Sequence, residues 1–207
     1  MEKKFVITIG RQLGAGGRLL AEELGRRLGV PVYNREVIEE AARKSGVGAE
    51  FFERADEHES NVTPLGTGIW GFGSMINSGY INNDTLFGLQ SEAIVALAER
   101  GSCVVVGRCA DYVLREHPGL LSVFVTASEE DRLSRLMKCC DKSEKECRNM
   151  IATSERKRAS YYNYYSFKTW GAAESYDLTL NSSLFGIDGC ADMVVAALEK
   201  RLKKTTL

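Results

Sequence analysis

Phe5-Val-Ile-Thr-Ile-Gly-Arg-Gln-Leu-Gly-Ala-Gly-Gly-Arg18 decides how the rest of this chain is read. Phe5–Ile9 is apolar or β-branched at every position, as a strand buried on both faces should be. Leu19, Leu20, Leu24 and Leu28 then recur at helical spacing, and Gly29 stands where such a helix stops. Between them, Gly14, Ala15, Gly16 and Gly17 are small enough for neighbouring backbone N–H groups to crowd toward one centre. A helix N-terminus adds positive partial charge there, so a phosphate is the natural occupant. The loop departs from G-x-x-x-x-G-K-[ST]. With Gly16 as the second glycine, Arg11 replaces the first, Gly17 the lysine and Arg18 the hydroxyl residue. Charge on the loop then has to come from Arg18 or Arg11. No G-x-G-x-x-G fingerprint is present, which counts against a nicotinamide enzyme. The plain alternative is a tight, glycine-filled turn with no ligand.

Outward from that turn, strands alternate with helices. Val30–Tyr33 reads as a short second strand, and Asn34 as the cap of a helix running to Gly46. A short helix follows over Glu50–His58. Ser60–Gly88 is rich in glycine and asparagine with unperiodic aromatics, and reads as a long, partly mobile segment rather than a linker. Helix resumes over Leu89–Arg100. Cys103–Gly107 and Leu120–Val125 are continuous apolar runs that suit buried parallel strands. Ser128 caps an acidic first turn, and Ser143-Glu-Lys-Glu146 matches a capping box opening a long charged helix. Tyr176–Leu180 is the expected last strand and Asp188–Lys203 the closing helix. The pattern predicts a three-layer α/β/α fold on a five-stranded, mostly parallel sheet, with ligands beyond the carboxyl ends of the strands.

A chain of 207 residues with 44% hydrophobic and 27% charged residues suits one soluble domain, residues 1–207. The net charge of -1 argues against nucleic acid as a partner. No apolar run nears the roughly 18 residues of a membrane span, and none resembles a signal peptide, so the cytoplasm is the expected location. Cys103, Cys109, Cys139, Cys140, Cys147 and Cys190 form no Cys-x-x-Cys pair. His58 and His117 lack ligand spacing, so no protein metal centre is expected.

Beside the loop, four segments together resemble the cytidylate kinase-like family, relatives of the P-loop nucleoside monophosphate kinases. They are Pro31-Val-Tyr-Asn-Arg35, Val105-Val-Gly-Arg-Cys-Ala-Asp111, Val123-Phe-Val-Thr-Ala127, and the stretch from Arg148 through Trp170 to Asn181. Asn34 stands where an aspartate is expected of that family, and Cys109 where a glycine is more usual. The resemblance implies a P-loop NTPase-like domain with an acceptor-side insertion at residues 45–90 and a lid-like helical segment at 140–170. It also implies ATP as donor, Mg2+ weakly held by the protein, and a nucleoside monophosphate such as CMP as acceptor. A homodimer is left open.

Phosphoryl transfer needs charge neutralisation and positioning more than covalent help. Donor phosphates are assigned to Arg11, Gly14, Ala15, Gly16, Gly17 and Arg18. The acceptor is assigned to Asn34, Arg35, Arg108 and Asp111, with Arg108 at a strand end as a bidentate phosphate clamp. Arg18, Arg156 and Arg158 are assigned to the transferring group. Arg156 and Arg158 also fit a solvated charge run, Asp111 a helix start, and Asp177 a surface acid. Arg132 and Arg135 are expected to face solvent or pair with nearby acids. Tyr161–Tyr165 reads as packing before base stacking. Rival readings are a non-catalytic nucleotide sensor and a kinase of a non-nucleotide metabolite.

Overall fold

In the computed structural model, which describes residues 4–34 and 83–204, the first strand is β1 (Val6–Arg11), followed by α1 (Gly17–Leu28) and β2 (Val32–Tyr33). After the undescribed stretch come α2 (Asn83–Arg100), β3 (Cys103–Val106), α3 (Ala110–Val113) and β4 (Leu120–Thr126). Helices α4 (Glu129–Cys139) and α5 (Glu144–Ser166), strand β5 (Leu178–Asn181) and helix α6 (Ser182–Lys204) complete the chain. The helices expected over Asn34–Gly46 and Glu50–His58 lie outside the described residues apart from Asn34. So does the Ser60–Gly88 segment as far as residue 82; its remainder is not loop but the first turns of α2.

The sheet runs β2-β3-β1-β4-β5, and every pairing is parallel, so among the described residues the expected "mostly parallel" sheet has no antiparallel strand. Alternation explains why β1 is apolar at Val6, Ile7 and Ile9, which point to both faces of the sheet. Ile7 and Ile9 pack with Leu20 and Leu24 of α1 and Val194 and Leu198 of α6, while Val6 packs with Ile94 and Leu97 of α2. Both faces are covered, as a parallel sheet requires. Among the described residues no helix is long and apolar enough to cross a membrane.

Helix ends follow their sequence signals. Gly29 takes a left-handed φ of 64° and closes α1 by donating its N–H to the Gly25 carbonyl. Ser128 caps α4, and Ser143 with Glu146 forms the full capping box of α5. Two boundaries differ from expectation. Strand β5 starts at Leu178, because Tyr176 turns its ring onto Phe124 and Tyr162 and pairing begins only beyond it. Asp177 is exposed, yet its Oδ2 accepts from both the backbone N–H and the hydroxyl of Ser122, each at 2.8 Å, tying β5 to β4. Helix α6 begins at Ser182, with a break at Gly186 (φ 66°, ψ 179°) that hides its first turn from a periodicity reading.

Candidate active site

Helices α4 and α5 begin with serine caps, whereas α1 begins with no side-chain cap. Its N-cap is Gly16 in the left-handed region (φ 81°), with no side chain to accept from the first turn and no acid in that turn. The amides of Gly14, Gly16, Gly17 and Arg18 have no acceptor among the described residues. A helix start leaves up to four such donors, and burying them without a partner is costly.

The loop's carbonyls are the reverse case: all of those from Arg11 to Gly16 accept. Arg158 donates to the Arg11 carbonyl at 2.8 Å, and Ala15 N–H to that of Gln12 at 3.3 Å. Arg132 Nε donates to Leu13 O at 2.9 Å and Arg135 to Gly14 O at 3.1 Å. The Ser182 hydroxyl donates to Ala15 O at 2.7 Å, and Leu20 N–H to Gly16 O at 2.9 Å. Carbonyls held by donors leave a loop whose remaining polarity is positive. Such polarity suits an anion. Gly14 and Gly16 are needed at φ 79° and 81°, where a Cβ would also meet Arg132 O at 2.6 Å and Ile187 Cδ1 at 2.7 Å.

The loop arginines divide. Arg18 is 69% exposed and pairs with Glu22 along α1 at 3.0 Å. Arg11 instead lies over Gly17, its Cβ 2.6 Å from where a Gly17 Cβ would sit. It reaches Gly107, where a Cβ would overlap its guanidinium. Arg11 thus spans from the loop to the end of β3. Ala15 is fully buried within the core beneath the loop.

At that end the chain makes three successive left-handed residues, Gly107 (φ 77°), Arg108 (φ 59°) and Cys109 (φ 53°). Two of them are not glycine, and each costs on the order of 1–2 kcal/mol in that region. Strain of this kind collects where a side chain must be aimed. Arg108 meets the Tyr161 hydroxyl, whose proton is held more tightly than usual, first because the ring is buried and against the pull of Arg108. Arg158 is pushed below its ordinary value, first by burial and then by Arg108 and Arg132 beside it, with Glu155 opposing. Arg108, Arg132 and Arg158 therefore crowd one region next to the loop. Burial lifts the Cys109 thiol to about 12, so it stays protonated.

Asp111 is buried in the first turn of α3 and accepts from the Tyr162 hydroxyl at 2.7 Å. Burial raises its carboxyl above the ordinary value, against the Tyr162 hydrogen bond and the charge of Lys168. The folded state then binds the proton more tightly than the unfolded chain. The stability this group lends is complete below the unfolded value and is lost as pH rises through the raised folded one. Asparagine keeps an acceptor for Tyr162 and has no charge to bury. Asp111→Asn is therefore expected to gain in urea midpoint over wild type as pH rises from about 4 to about 7. A difference that does not change with pH would show that burial does not act on Asp111 in this way.

Of the remaining sequence assignments, Asn34 follows β2, the strand beside β3, so it leaves the same sheet edge as Arg108. Arg35 lies outside the described residues. Arg156 is exposed on α5. Tyr161 and Tyr165 pack with Phe87, the Phe87 and Tyr165 rings stacked at 4.0 Å, so these tyrosines serve packing here. The six cysteines are free, and no group of three His, Cys, Asp or Glu side chains suited to a metal occurs among the described residues.

Arg132 and Arg135 correct the sequence reading. Arg132 is 7% exposed and Arg135 half-buried, and both point at the loop rather than at solvent. Arg132 does meet an acid, Glu155 at 3.4 Å, but on another helix. Sequence reasoning missed Glu155 and Ser182 altogether. The available signal was the spacing of Arg132 and Arg135, which places both on one helical face just after the Ser128 cap.

A family model described as the cytidylate kinase-like family matches residues 6–184. None of the curated proteins matches the chain. Among solved structures, an uncharacterized protein from Eubacterium ventriosum ATCC 27560 shares 24% identity and a TM-score of 0.72, over 95% of this chain and 99% of that one. TT1252 from Thermus thermophilus (18% identity, TM-score 0.55) and the shikimate kinase from Bacteroides thetaiotaomicron (17%, 0.54) are similar over the same shares of each chain. These likenesses establish the fold that the three proteins share with this chain.

Proposed function

The chain belongs to the cytidylate kinase-like family, and from that premise we propose that it is an ATP-dependent phosphotransferase acting on a nucleoside monophosphate such as CMP. The observation that carries this is the polarity of the loop. Its carbonyls are held by donors and its amides are left for oxyanions, one strand away from a strained arginine. In this reading the amides of Gly14, Gly16, Gly17 and Arg18 take the donor phosphates. Arg11, lying between the loop and β3, supplies the charge that a loop lysine gives elsewhere. Arg18 contributes its backbone, while its side chain stays with Glu22.

Arg108 clamps the acceptor phosphate, and Asn34 with Asp111 orients the rest of the acceptor. Arg158 faces the group in transfer, and Arg156 joins from α5 if that helix closes. Such positioning and charge neutralisation are the main needs of phosphoryl transfer. Magnesium, when bound, would neutralise phosphate charge. With no cluster of three ligating side chains among the described residues, it is expected to ride on the nucleotide and its own waters.

The test is a panel of nucleoside monophosphates and small hydroxylated or phosphorylated metabolites, scored for ADP release with Mg2+ or Mn2+. CMP-dependent release is the expected result. Turnover confined to a non-nucleotide acceptor would overturn the acceptor class. Saturable ATP binding without turnover at any acceptor would replace the enzyme by a sensor.

A further inference from the structure

Leu13 is gripped in three ways, all from α4 and α5. Its N–H donates to Glu155 Oε1 at 2.9 Å. Its carbonyl accepts from Arg132 Nε at 2.9 Å. Its side chain packs into the apolar seam between the two helices, formed by Leu133, Leu136, Cys147 and Ile151. Glu155 and Arg132 also face each other at 3.4 Å, so one ion pair flanks a single residue and holds the peptide units on both sides of it. Immediately beyond it stands Gly14, the first left-handed residue of the loop.

From this geometry we infer that Glu155 is a positioning residue: it holds the peptide before Leu13 while Arg132 holds the one after it, and together they set how well the loop's amides converge on polyphosphate. The inference rests on the loop's proposed role as donor site and adds a residue that touches no substrate. Freed at Leu13, the chain can turn about Gly14, which has no side chain to resist, and shift the amides after it against the bonds to Gly14 O and Ala15 O. A part-buried peptide N–H also needs its acceptor, so the carboxylate's reach matters more than its charge. The charge works against anions, since Glu155 opposes the positive field of Arg108, Arg132 and Arg158. Reach and charge can therefore be separated.

Glu155→Asp keeps the charge and shortens the reach. Glu155→Gln keeps the reach and an Oε1 acceptor, and removes the charge. Binding of ATP and of inorganic tripolyphosphate to the full chain would be measured by calorimetry, with cooperative thermal unfolding of each variant as a check on folding. Glu155→Asp is expected to weaken both probes about tenfold, about 1.4 kcal/mol, while Glu155→Gln binds as tightly as wild type or tighter. In turnover the loss should fall on KM for ATP and leave KM for the acceptor unchanged. Glu155→Asp within about threefold of wild type overturns the inference while wild-type binding upholds the donor loop. A tenfold loss in Glu155→Gln also overturns it, and suffices alone should Glu155→Asp not fold. Wild type that binds neither probe overturns both this inference and the donor-site proposal.

Discussion

Gly14→Ala is expected to lose donor binding by about 100-fold and to unfold at markedly lower denaturant, by on the order of 2–4 kcal/mol. Two costs add. The residue sits at φ 79°, where a Cβ is disfavoured by about 1 kcal/mol or more. The new methyl would also stand 2.6 Å from the Arg132 carbonyl and 3.0 Å from its Cα, which are backbone atoms of α4 and cannot rotate aside. Relief must come from the loop moving off α4. That movement breaks the Arg132 bond to Leu13 and the Arg135 bond to Gly14. Urea unfolding and ATP titration measure the two effects separately. A variant of normal stability and affinity would mean that the loop is not held as described. Gly16→Ala meets only the end of the Ile187 side chain and should be milder in packing.

Arg108→Gly is expected to part stability from function. The backbone at Arg108 is left-handed (φ 59°), a conformation glycine adopts freely, and the guanidinium shares its surroundings with Arg158. Removing both the strain and the like charge outweighs the lost contact with the Tyr161 hydroxyl and should leave the protein at least as stable, by up to about 1 kcal/mol. Turnover should fall at least 100-fold in kcat/KM for the acceptor. A charge-assisted arginine–phosphate bond is worth about 1.5–3 kcal/mol, and arginine makes two in parallel. Arg108→Ala should match the kinetic loss without the gain in unfolding midpoint. A kinetically normal Arg108→Gly would remove this residue from the acceptor site and leave its strain with no function.

Much of the fold was legible because both signals in it are local. Val6, Ile7 and Ile9 are apolar whichever face they take, and Gly29 closes α1 in the only conformation its position allows without strain. Ser143 and Glu146 announce α5 in four residues. The misread boundaries are places where tertiary contact overrides pattern. Tyr176 looks like strand but turns its ring into an aromatic cluster, and Gly186 interrupts a helix that continues past it.

The candidate site was legible only in half. Glycines that free amide groups are visible in the sequence as small residues between a strand and a helix. The partners that hold the carbonyls are not, because they come from far along the chain: Arg132 reaches Leu13 across 119 residues, Arg135 reaches Gly14 across 121 and Arg158 reaches Arg11 across 147. A backbone carbonyl has no sequence identity, so an arginine that serves one looks the same as an arginine in water. Arg18 illustrates the converse. It follows the loop directly in sequence, yet Glu22 stands one turn on along the same face of α1 and takes the guanidinium as its i,i+4 partner.

The central strand has one more implication. β1 pairs with β3 on one side, Ile9 opposite Val106, so the phosphate loop and the Arg108 turn spring from neighbouring rails about 4.8 Å apart. On the proposed donor and acceptor assignments, the sheet acts as a ruler for group transfer. Slipping those two rails by a single residue, about 3.3 Å, would carry donor and acceptor past each other by more than the length of the bond to be made. The alignment of reactants is written into backbone pairing, where side-chain substitutions scarcely reach it.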